Sequence, residues 1–334
     1  MPTEPLSQPA LPSRFWADLG TRDFAQLAAS PGIERTVAVL PVAATEQHGP
    51  HLPVSVDATL LQGVIDAALP LLPPELPVLF LPPQNVGLSP EHIRFPGTLT
   101  LAPATLTWPG TRTRLAKELG ESVARAGIKK LLLFNSHGGQ VSVMDIVARE
   151  LRSRCGLLVY SASWFSLPLP NEVSARFSAD EHRFGIHAGA IETSMMLHLA
   201  PQWVRMEQAQ DFHSSSQDRA ARYPLLGNGR SAKLGWQMQD YHPAGAVGNA
   251  AAATAEDGRA VVQAASAQLA QLLSEISDLP ASTLCDTPQL QATPTQTPAP
   301  APTTFPRPEQ GYAGDVTPEQ AWQWVRAEQA VLID

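Results

Sequence analysis

The run TVAVLPVAA, Thr36 to Ala44, limits the fold more than any other stretch of this chain. It is apolar without alternation and too short for an amphipathic helix, so it reads as a strand covered on both faces, the environment of a parallel sheet. The residues that follow, TEQHGPHLPVSVD, are dense in metal-capable side chains. In an extended segment residues two apart point the same way, so Glu46 and His48 can face one pocket while Gln47 faces away. Gly49 and Pro50 then break the strand and let a loop bring Asp57 back to the same place.

Strands and helices alternate from there. Thr59 to Leu72 has the spacing of an amphipathic helix stopped by Pro73 and Pro74, and Val78 to Leu81 reads as a short strand. Thr111 to Ala126 predicts a helix with Leu115, Leu119 and Val123 on one face and Gly127 as its cap. Lys130 to Asn135 is a second buried strand, followed by SHGGQ and a helix over Val141 to Arg154. Gly156 to Ser163 gives another strand and Asn171 to Phe184 a polar loop, in which Asp180 to Arg183 reads as solvated. A helix from about Ile191 to Leu199 puts Glu192 in a first turn, where the helix dipole favours a carboxylate, with His187 on the loop before it. The Ala-rich run predicts a long helix from about Ala251 to Ile276. This order predicts an α/β fold with a mostly parallel central sheet, and such sheets bind ligands at the carboxyl ends of their strands. Gly87 to Leu101 holds too many turn formers for regular structure and places Glu91, His92 and Arg94 on a long loop, the kind of segment that is often functional.

Residues 1–14 read as a loose arm and 15–285 as the main domain. Residues 286–310, with seven prolines, form a linker that cannot offset the entropy of ordering itself. The segment 311–334 regains order as a helix after Pro318 and a short apolar strand. It resembles the start of a rhodanese-type domain over about two dozen residues, and a terminal helix docking on the main domain fits equally. The net charge of −8 and the lack of a basic cluster argue against nucleic-acid binding. Cys155 and Cys285 have neither metal-type nor disulfide-framework spacing, and there is no signal peptide and no apolar run of about eighteen residues. The expectation is an unexported cytoplasmic protein without membrane partners.

Glu46, His48, Asp57, His137 and Glu192 together supply two imidazoles and three carboxylates, a ligand set suited to a pair of divalent ions held through N and O donors. Any one of these alone reads more simply as a surface or hydrogen-bonded residue. Their placement at three predicted sheet ends changes that balance. Ser136 beside His137 lacks the GxSxG elbow of a serine nucleophile, no GxxxxGK phosphate loop occurs, and neither cysteine sits as a nucleophile would.

The motifs TEQHGPHLPVSVD, SPEHIRFPGTLTL, NSHGGQ, HAGAIETS and ATAEDGRA resemble those of the creatininase (creatinine amidohydrolase) family, over roughly Trp16 to Ile276. The resemblance implies a three-layer α/β/α sandwich, a bridged two-metal centre and hydrolysis of C–N amide bonds, commonly in homo-oligomers. Glu46, His48 and His137 match family metal ligands and Asp57 the bridging carboxylate. Creatininase itself has a Glu two residues beyond its third-motif histidine, where this chain has Gly139, and Gln140 stands where the family usually has Asn. The missing ligand is expected from Glu192, as in the HGG-type branches, and creatinine becomes a poorer candidate substrate.

The expected cofactors are two divalent metal ions, zinc first, with manganese or iron as alternatives. The expected reaction is cleavage of a small amide, cyclic or a formamide, by a hydroxide that the two ions share. His187 is the candidate general acid/base, its rival role being structural. His51 and His92 are assigned to orienting ligands or substrate, and Trp164, Phe165, Glu91 and Arg94 to shaping specificity. Alternatives are a peptidase of the mycofactocin-precursor type and a non-catalytic metal-binding protein of the same fold.

Overall fold

The computed structural model describes residues 11–101 and 115–287, with Glu319. The chain divides into two compact units, Met1–Leu284 and Cys285–Asp334. Apart from Glu319, the segment 311–334 lies outside the described residues, as do most of the linker and residues 1–10 of the arm.

In the first unit β1 (Val37–Val42), β2 (Val78–Phe80), β3 (Lys130–Asn135) and β4 (Leu158–Ser163) form a parallel sheet in the order β2-β1-β3-β4. The helices around it are α1 (Thr21–Ala29), α2 (Val56–Ala68), α3 (Leu115–Arg125), α4 (Val141–Cys155), α5 (Ala179–Phe184), α6 (Ala190–Leu199) and α7 (Ala255–Asp278). Alternate residues of β1 enter separate cores. Val37 and Val39 join Phe80, Leu132 and Phe134 in a cluster with apolar residues of α2, α6 and α7. Ala38, Leu40 and Val42 join Leu131 and Leu133 in a second cluster with α1, α3 and α4. Two covered faces make the three-layer α/β/α sandwich and explain why the central strands are apolar at every position. None of the described helices is long and apolar enough to cross a membrane.

Several boundaries differ from the sequence reading. The Ala-rich stretch does not begin the long helix: Ala250–Ala252 is a 3-10 turn, and α7 starts behind Thr254, whose hydroxyl accepts the Asp257 N–H at 3.1 Å. A capping side chain outranks alanine propensity at this end. Asp57 lies in the first turn of α2, not at the end of a loop. The predicted solvated loop Asp180 to Arg183 is helical in α5, and Glu181 is buried within it.

β2 lies on one side of β1 and β3 on the other, so the strand order reverses between the carboxyl ends of β1 and β3. Such a reversal opens a crevice beyond the strand ends. Register aligns Val42 with Asn135, and the Ser136 N–H donates to the Val42 carbonyl at 3.1 Å, so the turns leaving both strands start side by side.

At the opposite end of the sheet, buried Lys130 donates from Nζ to the Ser277 and Leu279 carbonyls, each at 2.6 Å, closing the C-terminus of α7. Where α7 crosses α6, a Cβ at Gly258 would run into the Ser194 backbone carbonyl. Gly258→Ala is therefore expected to cost about 1–3 kcal/mol, read as a lower urea midpoint at unchanged slope. Gly120→Ala in α3, which meets only the flexible end of Leu151, should cost less.

Candidate metal centre

Glu46 and His48 leave β1 into the crevice, both 1% exposed. The His48 Nδ1–H donates to the Glu46 carbonyl at 3.0 Å, which turns Nε2 toward Asp57 Oδ1 at 3.6 Å and Glu192 Oε2 at 3.9 Å. His137 leaves β3 clamped by Asn135, whose Oδ1 accepts the His137 N–H at 2.9 Å and whose Nδ2 donates to the His137 carbonyl at 2.7 Å. Its Nε2–H donates to the Leu88 carbonyl at 2.8 Å, so Nδ1 faces Glu46 Oε1 at 3.1 Å and Asp57 Oδ2 at 3.5 Å. These tautomers follow from the hydrogen-bond partners. Asp57 thus turns one oxygen toward each imidazole.

Glu192 and His187 flank the turn into α6. Ala188 is held at φ 55 there, and its N–H donates to Glu192 Oε2 at 2.6 Å. His187 lies between the rings of His48 and His92, with centroids at 4.1 and 4.4 Å. Its Nε2–H donates to the Gln47 carbonyl at 2.8 Å, leaving Nδ1 3.9 Å from Glu46 Oε1. Buried Glu181 anchors the turn from beneath, accepting the N–H groups of Ala190 at 2.5 Å and Asn249 at 2.9 Å.

The five expected ligands and His187 therefore come together beyond the strand ends. Single donor atoms of Glu46, His48 and His187, of Glu46, Glu91 and His137, and of His48, Asp57 and Glu192 lie within 4.8 Å of one another in each group. Donor bonds of about 2.0–2.3 Å require spacings only slightly shorter than this. Glu46 Oε2, His48 Nε2, Asp57 Oδ2 and Glu91 Oε1 are buried without a hydrogen-bond partner. Orphaned donors of this kind, converging in a crevice, fit a divalent cation.

The electrostatics of these side chains say the same. Burial works to raise the Glu46 carboxyl, but the imidazoles of His137, His187 and His48 outweigh it and hold it at about 2. Burial opposes protonation of His48, yet Asp57, Glu192 and Glu46 lift it to about 9. His137 is raised well above its ordinary value against burial, chiefly by Glu46. Burial, with the neighbouring carboxylates, raises Asp57 and brings Glu192 to about 7. Burial and then the charge of His48 push His187 well down and His92 to about 2. Protons on His48 and His137 balance the carboxylates that a cation would otherwise neutralise.

Other residues take places that pattern reading missed or assigned differently. Gln47, expected to face away, is buried, with Nε2 2.8 Å from His92 Nδ1 and Oε1 accepting the Gly49 N–H. His92 Nε2 approaches Glu46 Oε1 at 3.4 Å, and His51 Nε2 meets Thr193 Oγ1 at 2.9 Å beside Glu192. Gln140 joins three segments through Asn135 Oδ1, the Ala43 carbonyl and the Leu88 N–H. Glu91 reaches the donors themselves, whereas Arg94 and Phe165 are exposed and Trp164 is buried, donating to Ser136 Oγ at 3.1 Å. Trp236 sets its ring edge-on to His92 at 6.2 Å. The loop carrying Glu91 closes on itself, Leu101 N–H to the Gly87 carbonyl at 2.9 Å and Ser89 N–H to Thr100 Oγ1 at 2.8 Å. A motif such as SPEHIRFPGTLTL could have flagged Glu91 as a donor; nothing in the pattern marked Gln47 or Glu181.

Sandwich and donor set together define the class: an α/β/α protein with a metal-capable centre at its topological switch point. The family model described as creatinine amidohydrolase matches residues 22–273, so the chain belongs to the creatininase family and is a hydrolase of carbon–nitrogen bonds. The mycofactocin precursor peptide peptidase of Mycobacterium tuberculosis is 31% identical over 254 residues, covering 74% of this chain and 86% of that protein. The creatinine amidohydrolase of Pseudomonas putida is 33% identical over 188 residues, covering 52% of this chain and 68% of that protein. A Zn–Zn form of a creatininase mutant superposes with a TM-score of 0.62 at 24% identity, over 80% of this chain and 99% of that one, a likeness of fold.

Metal donors must be unprotonated, whereas the neighbouring carboxylates favour protons on His48 and His137 at pH 7. Titration calorimetry with Zn²⁺ in buffers of different ionisation heat is expected to show proton release at pH 7. Affinity should climb with pH through about 9, where the His48 proton is lost, by about tenfold per unit for each proton released.

Proposed function

We propose that this chain is a metal-dependent amidohydrolase that cleaves the C–N bond of a small amide, such as a cyclic amide or a formamide. The observation that carries the reading is the convergence of orphaned, buried carboxylate and imidazole donors at the end of β1 and β3. His48, Asp57 and Glu192 would hold one divalent ion and Glu46 with His137 a second, Asp57 lying between them. Zinc suits this mixed N/O set, as do manganese and iron. Bound there, the ions supply Lewis acidity, acidifying a water and polarising a carbonyl.

The chain's own part is proton handling. His187, with its Nε2 proton committed to the Gln47 carbonyl and its pKa well below the ordinary value, is neutral at pH 7 and can accept a proton at Nδ1. As the oxygen of a water adds to the amide carbon, that water's proton passes to Nδ1. It then moves to the leaving nitrogen as the C–N bond breaks, giving a carboxylic acid and an amine. His92 Nε2 stands 3.4 Å from Glu46 Oε1, and the Gln47 amide meets both His92 and His187. Burial of His187 and the donors keeps bulk water from competing for that proton.

A second reading, a peptidase acting near the end of a small peptide, is favoured by the match to the mycobacterial peptidase over 86% of that protein's length. A cytoplasmic homo-oligomer is the assembly expected with either reading. Metal analysis with a screen of cyclic amides, formamides and short peptides decides between them. About two ions per chain, and loss of turnover on chelation and in Asp57→Asn, are the expected results; hydrolysis of peptides alone would select the second reading. His187→Ala is expected to keep its ions while kcat falls about 10²–10⁴-fold. Loss of an ion would make His187 a ligand instead.

A further inference from the structure

We infer that Glu91 is itself a metal ligand, completing with Glu46 and His137 the second cation position, and that Gly139 lacks a side chain because this carboxylate occupies its place. The inference rests on the metal-centre reading above and goes beyond it, since Glu91 belongs to none of the sequence-assigned donors. A Cβ built at position 139 collides with Glu91 Oε1 and would stand 2.6 Å from His137 Nε2. The Gly139 backbone does not call for glycine, its φ lying outside the left-handed region. What excludes a side chain there is the carboxylate reaching in from the 87–101 loop. Glu192, by contrast, groups with His48 and Asp57.

Two observations separate a ligand from a residue that merely orients His137. First, the imidazole already has an acceptor: its Nε2–H donates to the Leu88 carbonyl at 2.8 Å, so Glu91 is not needed to hold the ring. Nε2 also stands 3.2 Å from Glu91 Oε1, but its proton is directed at Leu88, and Oε1 has no hydrogen-bond partner of its own. Second, Glu91 is only 8% exposed, and one of its oxygens falls within 4.8 Å of donor atoms on both Glu46 and His137. A buried carboxylate oxygen with no hydrogen-bond partner, set against another carboxylate, is an atom that a divalent cation would satisfy. The loop's own bonds fix it there: Leu88 N–H to Gln140 Oε1 at 3.4 Å and Ser89 N–H to Thr100 Oγ1 at 2.8 Å hold both sides of the turn Pro90–His92.

Co²⁺ is the probe, because its visible spectrum reports the ligand set and needs no substrate. The full chain, stripped of metal, is titrated with Co²⁺ alongside Glu91→Gln, which keeps the side-chain volume, and Gly139→Ala, whose methyl displaces the flexible carboxylate without removing it. Apo circular dichroism checks the fold. Expected are two Co²⁺ per wild-type chain, and in both variants one ion weakened by more than about 100-fold, the upper range for outer-sphere partners, with a changed spectrum. Two ions bound by Glu91→Gln within about 100-fold of wild type and with an unchanged spectrum would overturn the assignment of Glu91 alone. A silent Gly139→Ala would count against the shared space. Failure of the wild type to bind any ion would overturn the metal centre itself, and this ligand with it.

Discussion

Glu46, Asp57 and Glu91 are buried against the imidazoles of His48 and His137, and Glu192, its side chain 16% exposed, joins His48 and Asp57 beside them. Like charges in so confined a space repel strongly unless positive charge is interposed. Without an ion, that charge comes from protons on His48 and His137. Much of the surrounding structure serves to keep these groups together: Asn135 clamps His137, the Gln47 carbonyl fixes the tautomer of His187, and Gln140 joins the ends of β1 and β3 to the 87–101 loop.

The sheet explains why the gathering happens at this end. Parallel strands send every outgoing turn to the same edge, and the reversal of order between β1 and β3 leaves room there. α2 and α6 then bring Asp57 and Glu192 in by their first turns, where the backbone N–H groups favour carboxylates. Glu181 shows a contrasting solution to a buried acid. It lies outside the cluster and is satisfied by backbone N–H groups, so it acts as a strut for the turn between His187 and Glu192.

The sheet could be read from the sequence because burial on both faces writes itself into every residue of Val37–Val42 and Lys130–Asn135. Glu46, His48 and His137 were legible for a related reason, since they directly follow strands whose ends the pattern locates. Glu91 was harder, because no periodicity fixes the path of a 15-residue loop, and a glycine at 139 does not announce which distant atom fills its space. Gln47 was misplaced by extending strand alternation past Val42, where the backbone has already left the ladder. The start of α7 was misplaced because alanine content says where a helix is tolerated, while Thr254 and Asp257 decide where it begins.

The 87–101 loop is stitched shut at its base, Leu101 to Gly87, and rests on the core through Leu99 N–H to the Thr45 carbonyl and Gln47 N–H to Thr98 Oγ1. In this chain the same segment carries a donor-cluster carboxylate, Glu91, and the exposed side chains of Ile93 and Arg94. One stretch of fifteen residues therefore joins the donor cluster inside the crevice to the protein surface, so a change to its path would be felt at both.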